Sequence, residues 1–376
     1  MSLDALPKTR AVLDQGRADG LHHGAQLFVS HRGKTICDAG MGEVRPGEPL
    51  SPDHFMLWLS AGKPVTAVMV LMCCFEQDAD GIRSLDDRVQ GLLGAEWEDA
   101  GIGQVTVRQL LTHTGGFPEA DPGYPANDWE TSLAALQSAT LEEEWELGRT
   151  GGYHPKSSWF VLGEIILSVR ELRRQSLADL LREDVLRLAG ANAARFQFDL
   201  DDLRGELRAL IAPMFRRQGR ELVDAGMSDD THLTRISPGS SLRGPARDLG
   251  RFYLTLLGSI KEGGSRMLSG MAAEAMTARH RVGEFDRTLG HVVDFGLGVI
   301  VDSNRYGADT VPYGYGPHCS PRTFGHGGSQ SSMGFCDPEN DLVVAWATNG
   351  MCGEPKHQRR NRAINAAIYE DLGLAD

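Results

Sequence analysis

A serine and a lysine three residues apart, at the start of an apolar segment, are the residues of this chain best placed to do chemistry. They lie in Trp58-Leu59-Ser60-Ala61-Gly62-Lys63-Pro64, which runs directly into the apolar run Val65–Phe75. A run of this length and composition is typical of a buried helix, and proline is well tolerated in the first turn of a helix. The pattern predicts a helix over Pro64–Phe75, with Ser60 at or just before its N-terminus.

Residues three apart on a helix project to the same side, with Cβ atoms about 5–6 Å apart, so the Lys63 amine can hydrogen-bond the Ser60 hydroxyl. Beside a desolvated wall such an amine can lose its proton near neutral pH and act as a base, or stay charged and lower the pKa of a neighbouring phenol. The four-residue pattern alone is common, and Ser60 by itself would also suit a helix cap. The pair therefore predicts nucleophilic catalysis only together with other motifs.

Several further motifs follow along the chain. They are Leu110-Leu-Thr-His-Thr-Gly-Gly116, Gly152-Tyr153-His154-Pro155 before Trp159–Gly163, Pro238–Arg243, Asp248–Phe252 and Gly325-His326-Gly327-Gly328. With Ser60 and Lys63, and over roughly residues 25–350, they resemble in order and spacing the serine β-lactamase-like family of class C β-lactamases, DD-peptidases and family VIII carboxylesterases. The carboxylesterases are the most similar in their motifs.

The resemblance implies a role for each motif. Ser60 is the nucleophile, Lys63 is its acid/base partner, and Tyr153 is the phenol that exchanges a proton with the serine and the leaving group. The segment His326-Gly327-Gly328 stands where many β-lactamases have Lys-Thr-Gly, and the backbone amides of Ser60 and Ser329 form the oxyanion hole. An acyl-serine intermediate splits one difficult step into two, and two N–H groups stabilise the developing oxyanion. Whether Lys63 or Tyr153 is the main base depends on three-dimensional neighbours and stays open.

Two departures from the family pattern bear on the substrate. The family's tyrosine is usually followed by a residue and then asparagine, whose amide binds the substrate and the lysine, whereas here His154 and Pro155 follow. The histidine at position 326 also removes a cation that would attract the carboxylate of a β-lactam or a peptide, because histidine is mostly neutral at pH 7. Neutral esters therefore suit this sequence better than β-lactams do.

We expect a serine carboxylesterase that cleaves esters of short to medium acyl chain through an acyl-Ser60 intermediate. Trp58, Tyr124 and Tyr315 are predicted to form the wall of the acyl site, because they stand close in sequence to the motifs and loops. One alternative is amide or transfer chemistry with the same nucleophile: a D-amino-acid peptidase or amidase, a weak β-lactamase, or an acyltransferase. A second alternative is a non-catalytic binding member of the fold.

The segments that must position these residues predict an α/β (α+β) fold of the β-lactamase/transpeptidase type. Helical pattern covers residues 3–19, and strand patterns cover Ala25–His31, Thr35–Ala39, His291–Asp302, Arg322–His326, Ser332–Asp337 and Leu342–Asn349, followed by a helix over Arg359–Asp371. Tight turns between strands indicate antiparallel pairing. We expect an antiparallel sheet built from both chain ends, flanked by helices.

The middle of the chain is predicted to be mainly helical. Its helices are expected over Val107–Leu111, Ser158–Leu172, Leu177–Leu188 and Ala246–Leu257. The predicted domains are 1–75 with 285–376 for the sheet and 76–284 for the helices, with the active site between them. Two long loops rich in glycine and proline, Glu119–Asp128 and Ser303–Pro321, are candidate lids or walls of a binding site.

Composition excludes several classes of function. The 376 residues include 38 Lys and Arg against 51 Asp and Glu, a formal net charge of −13, which disfavours nucleic acid and anionic lipid as partners. We expect a small-molecule ester or amide partner, no nucleic acid, no membrane and no cofactor, and a homo-oligomer stays open. The first residues lack the apolar region of a secretory signal, so a soluble cytoplasmic protein is expected.

Cysteines and histidines often form disulfides or bind metals, but in this chain they are predicted to have structural roles. The six cysteines include no C-x-x-C pair and are expected to be reduced packing residues, and the twelve histidines include no H-E-x-x-H, so no metal site is expected. The basic stretch from His357 to Arg362 is predicted to be a solvated helix face.

Overall fold

In the part of the chain that the structure describes, the strands form one large sheet and three small ones. The computed structural model describes residues 2–75, 82–98, 101–170 and 176–375. Within these ranges the strands are β1 (Gly24–His31), β2 (Lys34–Arg45), β3 (Glu48–Pro49), β4 (Met56–Leu57), β5 (Phe215–Gln218), β6 (Glu221–Asp224), β7 (Arg243–Gly244), β8 (Phe285–Asp286), β9 (His291–Val292), β10 (Ile300–Val301), β11 (Phe324–Gly328), β12 (Ser332–Asp337), β13 (Leu342–Thr348) and β14 (Gly350–Met351).

Helices occupy the middle of the chain and both of its ends. They are α1 (Pro7–Ala18), α2 (Lys63–Phe75), α3 (Val89–Leu93), α4 (Val107–Leu111), α5 (Trp129–Gln137), α6 (Ser157–Val169), α7 (Leu177–Leu181), α8 (Leu200–Arg204), α9 (Leu207–Leu210), α10 (Asp230–Thr234), α11 (Ala246–Glu262), α12 (Gly270–Thr277) and α13 (Glu354–Asp371). None of the helices in the described ranges is long and apolar enough to cross a membrane.

The large sheet joins the two ends of the chain. Its strand order is β10-β11-β12-β13-β1-β2-β3, and every neighbouring pair is antiparallel. The N-terminal strand β1 lies beside the C-terminal β13, with Phe28 opposite Ala345. This arrangement confirms the prediction of an antiparallel sheet that both chain ends build and helices flank.

Alternating side chains bury both faces of this sheet, as the two-residue period of a strand requires. On one face, Leu27 of β1 and Trp346 of β13 pack in a core with residues of α1 and α13. On the other face, Phe28 and Ala345 join a larger core that includes α2, α6 and α11. The sheet is thus a middle layer between helices.

The helix after Ser60 is the centre of the larger core. Eleven consecutive residues of α2, Lys63 to Cys73, are buried, so the helix has no solvent face. A helix that is apolar on all sides is stable only when other elements surround it, and α6 is one of its neighbours. The segment that carries the lysine is therefore held rigidly from all directions.

Most predicted elements are found within a few residues of their predicted bounds, and Ser332–Asp337 and Val107–Leu111 match to the residue. The helix predicted over Ser158–Leu172 is observed as Ser157–Val169, and residues 171 and 172 lie outside the described residues. The helix predicted over Leu177–Leu188 is α7 followed by a π-helical segment, Arg182–Leu186. The small hairpin of β5 and β6 was not predicted.

Two sequence-based predictions about local structure are wrong. The strand predicted over His291–Asp302 is two short strands, because Gly298, with φ of +74°, turns the chain between them and fits against α2, where a Cβ would lie 2.4 Å from Ala67. The basic stretch from His357 to Arg362 is not a solvated face, because His357 and Arg360 are buried. The Arg360 guanidinium donates to the carbonyls of Leu21, Gln330 and Gly350.

Candidate active site

Ser60 lies in a tight turn that leads into α2. The turn is a 3-10 segment, Leu59–Gly62, and the α-helix begins at Lys63. Leu59 has φ of +49°, a conformation that costs energy for a residue with a side chain and that recurs at functional sites. Because the first N–H groups of a helical segment have no partner within the helix, the Ser60 N–H takes no part in the helix hydrogen bonds.

The Lys63 side chain is fully buried and its amine has three oxygen neighbours. Nζ lies 3.0 Å from Ser60 Oγ, 2.7 Å from the Pro155 carbonyl oxygen and 2.9 Å from that of Gly239. No carboxylate lies among these partners to hold a positive charge. Burial lowers the pKa of Lys63 well below its ordinary value, because desolvation disfavours the ammonium form.

Tyr153 faces the same serine from the loop before α6. Its hydroxyl is inaccessible to solvent and, among the described residues, lacks a hydrogen-bond partner of good geometry. The Lys63 Nζ lies 5.2 Å from the centre of the Tyr153 ring. Burial raises the pKa of Tyr153, and the nearby Ser60 hydroxyl opposes that rise only in part, so the phenol keeps its proton at neutral pH.

A buried ion pair fixes the backbone at Tyr153. Asp286 Oδ1 accepts a hydrogen bond from the Tyr153 N–H at 3.0 Å, and its Oδ2 accepts from Arg281 Nη2 at 2.8 Å. The Arg281 guanidinium also donates to the carbonyls of Thr112 and His113 at 3.2 and 3.3 Å. This pair therefore connects the tyrosine loop to the loop after α4.

Two histidines behind the tyrosine are structural donors and acceptors. His113, with φ of +58°, accepts the His154 N–H at Nδ1, and His154 accepts the Phe117 N–H at Nε2. Burial lowers the pKa of His113 well below its ordinary value and that of His154 to about 3, so both rings are neutral. Their fixed acceptor roles assign the remaining proton of His113 to Nε2 and that of His154 to Nδ1.

Strand β11 approaches the turn Leu59–Gly62 closely because it ends in glycines. A Cβ on Gly328 would lie 2.1 Å from the Trp58 carbonyl oxygen, and a Cβ on Gly327 would lie 2.4 Å from the ring of Tyr313. The Ser332 hydroxyl donates to the same Trp58 carbonyl at 2.6 Å. The glycines therefore allow strand β11 and the Ser60 turn to meet.

His326 on β11 is a neutral side chain with one unused nitrogen. Its Nδ1 lies 2.8 Å from the Gly327 carbonyl oxygen, and since a carbonyl can only accept, Nδ1 carries the proton. Burial, reinforced by the nearby Lys63, lowers the pKa of His326 to about 3. Nε2 is buried, and among the described residues it has no hydrogen-bond partner, so it is an unused acceptor.

These groups meet at a cavity of about 410 Å³. The residues that line it are Ser60, Tyr153, Pro155, Thr288, Leu289, Ile300, Pro312, Tyr313, His326, Gly327, Ser329, Glu354 and Gln358. Ser329 begins the short turn between β11 and β12. The structure thus brings Ser60, Tyr153, His326, Gly327 and Ser329 together around one space, with Lys63 bonded to Ser60 from behind.

Four predicted substrate-site residues do not line this cavity: Trp58, Tyr124, Tyr315 and Gly328. Trp58 is buried behind the serine, with its indole N–H donating to the Gly244 carbonyl at 2.9 Å, and Gly328 packs against its backbone. Tyr315 is fully buried in the core between the sheet and α13, and its hydroxyl donates to the Ile300 carbonyl at 2.8 Å. The Tyr124 hydroxyl donates to the His232 carbonyl at 3.1 Å.

Eight lining residues were not predicted, and the three with polar side-chain groups that bear on a ligand's charge are Tyr313, Glu354 and Gln358. Tyr313 belongs to the loop Ser303–Pro321, which the sequence predicts as a candidate wall of the binding site. The residue predicted to form that wall is Tyr315, two positions further along the chain. Glu354 and Gln358 lie in the first turns of α13, where no motif marks them. In the described part of the chain, no group of three or more His, Cys, Asp or Glu residues is placed to hold a metal ion.

Comparison with known proteins gives one family and related folds. The sequence model of the family described as Beta-lactamase matches residues 9–368. Among curated proteins, Penicillin-binding protein 4* of Bacillus subtilis (strain 168) is 26% identical over 161 residues, which cover 42% of this chain and 34% of that protein. The match thus spans about a third of that relative's length.

Two solved structures share the fold along almost the whole chain. One is described as a family VIII carboxylesterase; it is 23% identical, with 99% of both chains covered and a TM-score of 0.77. The other, EstCE1, is described as a hydrolase with promiscuous acyltransferase activity; it is 21% identical, with 97% of this chain and 99% of that chain covered and a TM-score of 0.77. At these identities the likeness establishes the β-lactamase/transpeptidase-like fold.

Proposed function

Because this chain belongs to the Beta-lactamase family, we propose that it is a serine hydrolase that cleaves carboxylic esters of short to medium acyl chain through an acyl-Ser60 intermediate. Its substrate is then a small molecule, and its working site lies between the sheet segments (1–75 and 285–376) and the helical segment (76–284). A cytoplasmic location and a homo-oligomer stay predictions.

The environment of Lys63 carries this proposal. A neutral amine has two N–H donors and one lone pair, and the carbonyls of Pro155 and Gly239 can only accept, so they take the two donors. The lone pair of the neutral amine is then left for the remaining neighbour, Ser60 Oγ, which lies 3.0 Å from Nζ and can donate its hydroxyl proton to it. A buried amine without a carboxylate partner, with its lone pair on a serine hydroxyl, supports Lys63 as the main base.

The remaining groups of the site fit the two steps of the reaction, acylation of Ser60 and hydrolysis of the acyl-enzyme. Lys63 takes the Ser60 proton while Oγ attacks the ester carbonyl carbon, and the N–H groups of Ser60 and Ser329 stabilise the oxyanion. When the C–O bond breaks, the protonated Tyr153 phenol gives its proton to the leaving alkoxide, and the Lys63 ammonium returns a proton to the phenolate. Water then attacks the acyl-enzyme by the same route and releases the acid.

The lining of the cavity supports esters over β-lactams. Pro155 offers a backbone carbonyl to Lys63 but no side-chain amide to a substrate. His326, with a pKa of about 3, supplies no cation for a substrate carboxylate. Leu289, Ile300 and Pro312 add apolar surface suited to an acyl chain.

Two alternatives keep the same nucleophile. A peptidase or amidase would cleave D-amino-acid amides, and an acyltransferase would pass the acyl group to an alcohol or amine in place of water. The EstCE1 likeness makes transfer the stronger of the two, and an added alcohol that diverts most product from acid to new ester would favour it. A binding protein without catalysis would leave Ser60 unreactive toward a fluorophosphonate.

The test is hydrolysis of p-nitrophenyl butyrate by the wild type, Ser60→Ala and Tyr153→Phe, with a chromogenic cephalosporin in parallel. We expect kcat/KM for the ester to fall at least about 10³-fold in Ser60→Ala and about 10²-fold or more in Tyr153→Phe. The matched control is Ser138→Ala, an exposed serine at the end of α5, which should retain full activity. Ester turnover that survives in Ser60→Ala, or cephalosporin turnover that exceeds ester turnover, would overturn the proposal.

A further inference from the structure

The cavity over Ser60 has one ionised side chain on its wall, and that charge is negative. Among the described residues that line it, Glu354 is the only one of the types Asp, Glu, Lys and Arg. The whole chain has a formal net charge of −13, so no general positive field offsets this carboxylate. A substrate carboxylate would meet repulsion here, and a cation would meet attraction.

Glu354 is held in place. It is the first residue of α13, where the helix dipole favours a negative charge. The Tyr313 hydroxyl lies 2.8 and 3.0 Å from its two oxygens, and Gln358 Nε2 donates to Oε2 at 3.2 Å. Two donors leave unused acceptor capacity on a carboxylate. The group is therefore oriented before a ligand arrives and can accept further N–H or C–H contacts.

Tyr313 adds an aromatic surface next to this carboxylate. The residue has φ of +54°, and its ring packs against the backbone of Gly327, where any Cβ would lie 2.4 Å away. Its ring centre also lies 5.2 Å from that of His357. An aromatic ring beside an anion is the composition that binds ammonium groups, by cation–π attraction and charge.

A second, independent observation also indicates a ligand that donates rather than accepts. His326 lines the same cavity, and its Nε2 is a buried acceptor with no partner in the described part of the chain. Leaving such a group unpaired costs free energy, which a substrate N–H or O–H would recover. Both Glu354 and His326, residues of this cavity wall, thus carry acceptor atoms with capacity for a further donor.

We propose that Glu354 and Tyr313 form a subsite for a cationic ammonium group, so that the preferred substrates are esters that carry an amine or a quaternary ammonium on the acyl or the alcohol part. This inference rests on the proposed esterase function and narrows its substrate class. The subsite lies on the wall of the cavity and takes no part in the bond-breaking steps.

The experiment compares pairs of esters that differ only in charge. Acetylcholine and neohexyl acetate have the same shape, with a nitrogen cation replaced by carbon on the alcohol side. The methyl ester of trimethylammonio-butyrate and its tert-butyl carbon analogue form the matching pair on the acyl side. Initial rates are followed by pH-stat titration at low ionic strength, with Ser60→Ala as the blank.

We expect kcat/KM of the wild type to favour the cationic member of at least one pair by about five-fold, the scale of an interaction with one exposed charge. In Glu354→Gln this ratio should fall to about half or less of the wild-type value, because only the attraction of the Tyr313 ring remains. Glu370→Gln removes the same charge near the other end of α13, and it should keep the wild-type ratio. Rising salt should weaken the wild-type preference without any substitution, because Glu354 is exposed.

The outcomes separate the two proposals. A wild type that hydrolyses the neutral esters without preferring their cationic partners overturns the subsite and leaves the esterase intact. A preference that is undiminished in Glu354→Gln, or that salt does not weaken, also overturns the subsite. If the wild type hydrolyses none of these esters and no p-nitrophenyl ester, the esterase proposal itself fails.

Discussion

Replacing Asp286 by asparagine should damage both stability and turnover, because this carboxylate links a buried guanidinium to the backbone of Tyr153. Its side chain is 0% exposed and that of Arg281 is 2% exposed. Asparagine has the same shape, and its oxygen can still accept the N–H groups of Tyr153, Thr288 and Leu289. Its NH₂ group, however, would face the Arg281 guanidinium, donor against donor.

The expected loss follows from the uncompensated charge. Removing one partner of a buried ion pair costs about 3–5 kcal/mol of unfolding free energy. For 376 residues, an unfolding entropy of about 2 cal/mol/K per residue gives about 0.8 kcal/mol/K in total, so a loss of about 3 kcal/mol lowers Tm by about 4 °C. A displaced Tyr153 should also lower kcat about ten-fold or more, with little change in KM, because misplacing a catalytic group raises the barrier without removing ground-state contacts.

The assay pairs thermal melting by circular dichroism with kcat and KM for p-nitrophenyl butyrate. Asp201→Asn is the matched control: it breaks a 3.6 Å pair with Arg204 in which the Asp201 side chain is 96% exposed, and it should leave Tm within about 1 °C of the wild type. If Asp286→Asn melts with the wild type and keeps its kcat, the ion pair does not position Tyr153. If Tm falls while kcat stays constant, the pair is structural only.

Two further predictions concern the nucleophile turn and its base. Gly328→Ala should lower the unfolding free energy by about 1–3 kcal/mol and kcat/KM about ten-fold or more, because its Cβ would lie 2.1 Å from the Trp58 carbonyl oxygen. The control Gly258→Ala, in open space on α11, should raise Tm by about 1 °C. Equal Tm values for the two variants would contradict the close packing at Gly328. Because burial lowers the pKa of Lys63 well below its ordinary value, its neutral form exists at pH values where a free lysine is still protonated. We therefore expect kcat/KM to be high above this lowered pKa and to fall as pH falls through it. Lys63→Arg, protonated throughout, should lose this activity at every pH, and a profile that rises only near the pKa of free lysine would refute Lys63 as the base.

The parts of the fold that sequence predicts well are those with local signals at both ends. The strand Ser332–Asp337 alternates along its length and runs into a turn over Asp337–Asp341, so its pattern and its end agree. The burial of α2 follows from its composition alone. The hairpin of β5 and β6 carries mixed polar residues such as Arg216 and Arg217 and gives no apolar alternation from which to predict it.

Tyr315 was predicted to form the wall of the acyl site but does not line the cavity, and the reason is different. Tyr313 and Tyr315 stand two residues apart in a loop with no regular period, so sequence cannot say which one faces the substrate. The positive φ of Tyr313 places its ring on the cavity, and Tyr315 goes into the core. Glu354 reaches the site only because α13 packs on the sheet, a long-range contact that no nearby motif announces.

The burial of α2 makes some residues of the site hard to substitute, whereas residues on the opposite wall of the cavity are free to vary. Ser60, the proposed nucleophile, lies in the turn that leads into α2, and Lys63, its proposed base, is the first residue of that buried helix. Almost any substitution there would disturb packing. Tyr313 and Glu354, which set the charge and shape of the opposite wall, stand on a loop and on the exposed start of a helix. Substitutions on this wall can therefore change which substrate the site accepts while Ser60 and Lys63 stay in place, so related proteins can differ in substrate and keep the same reacting groups.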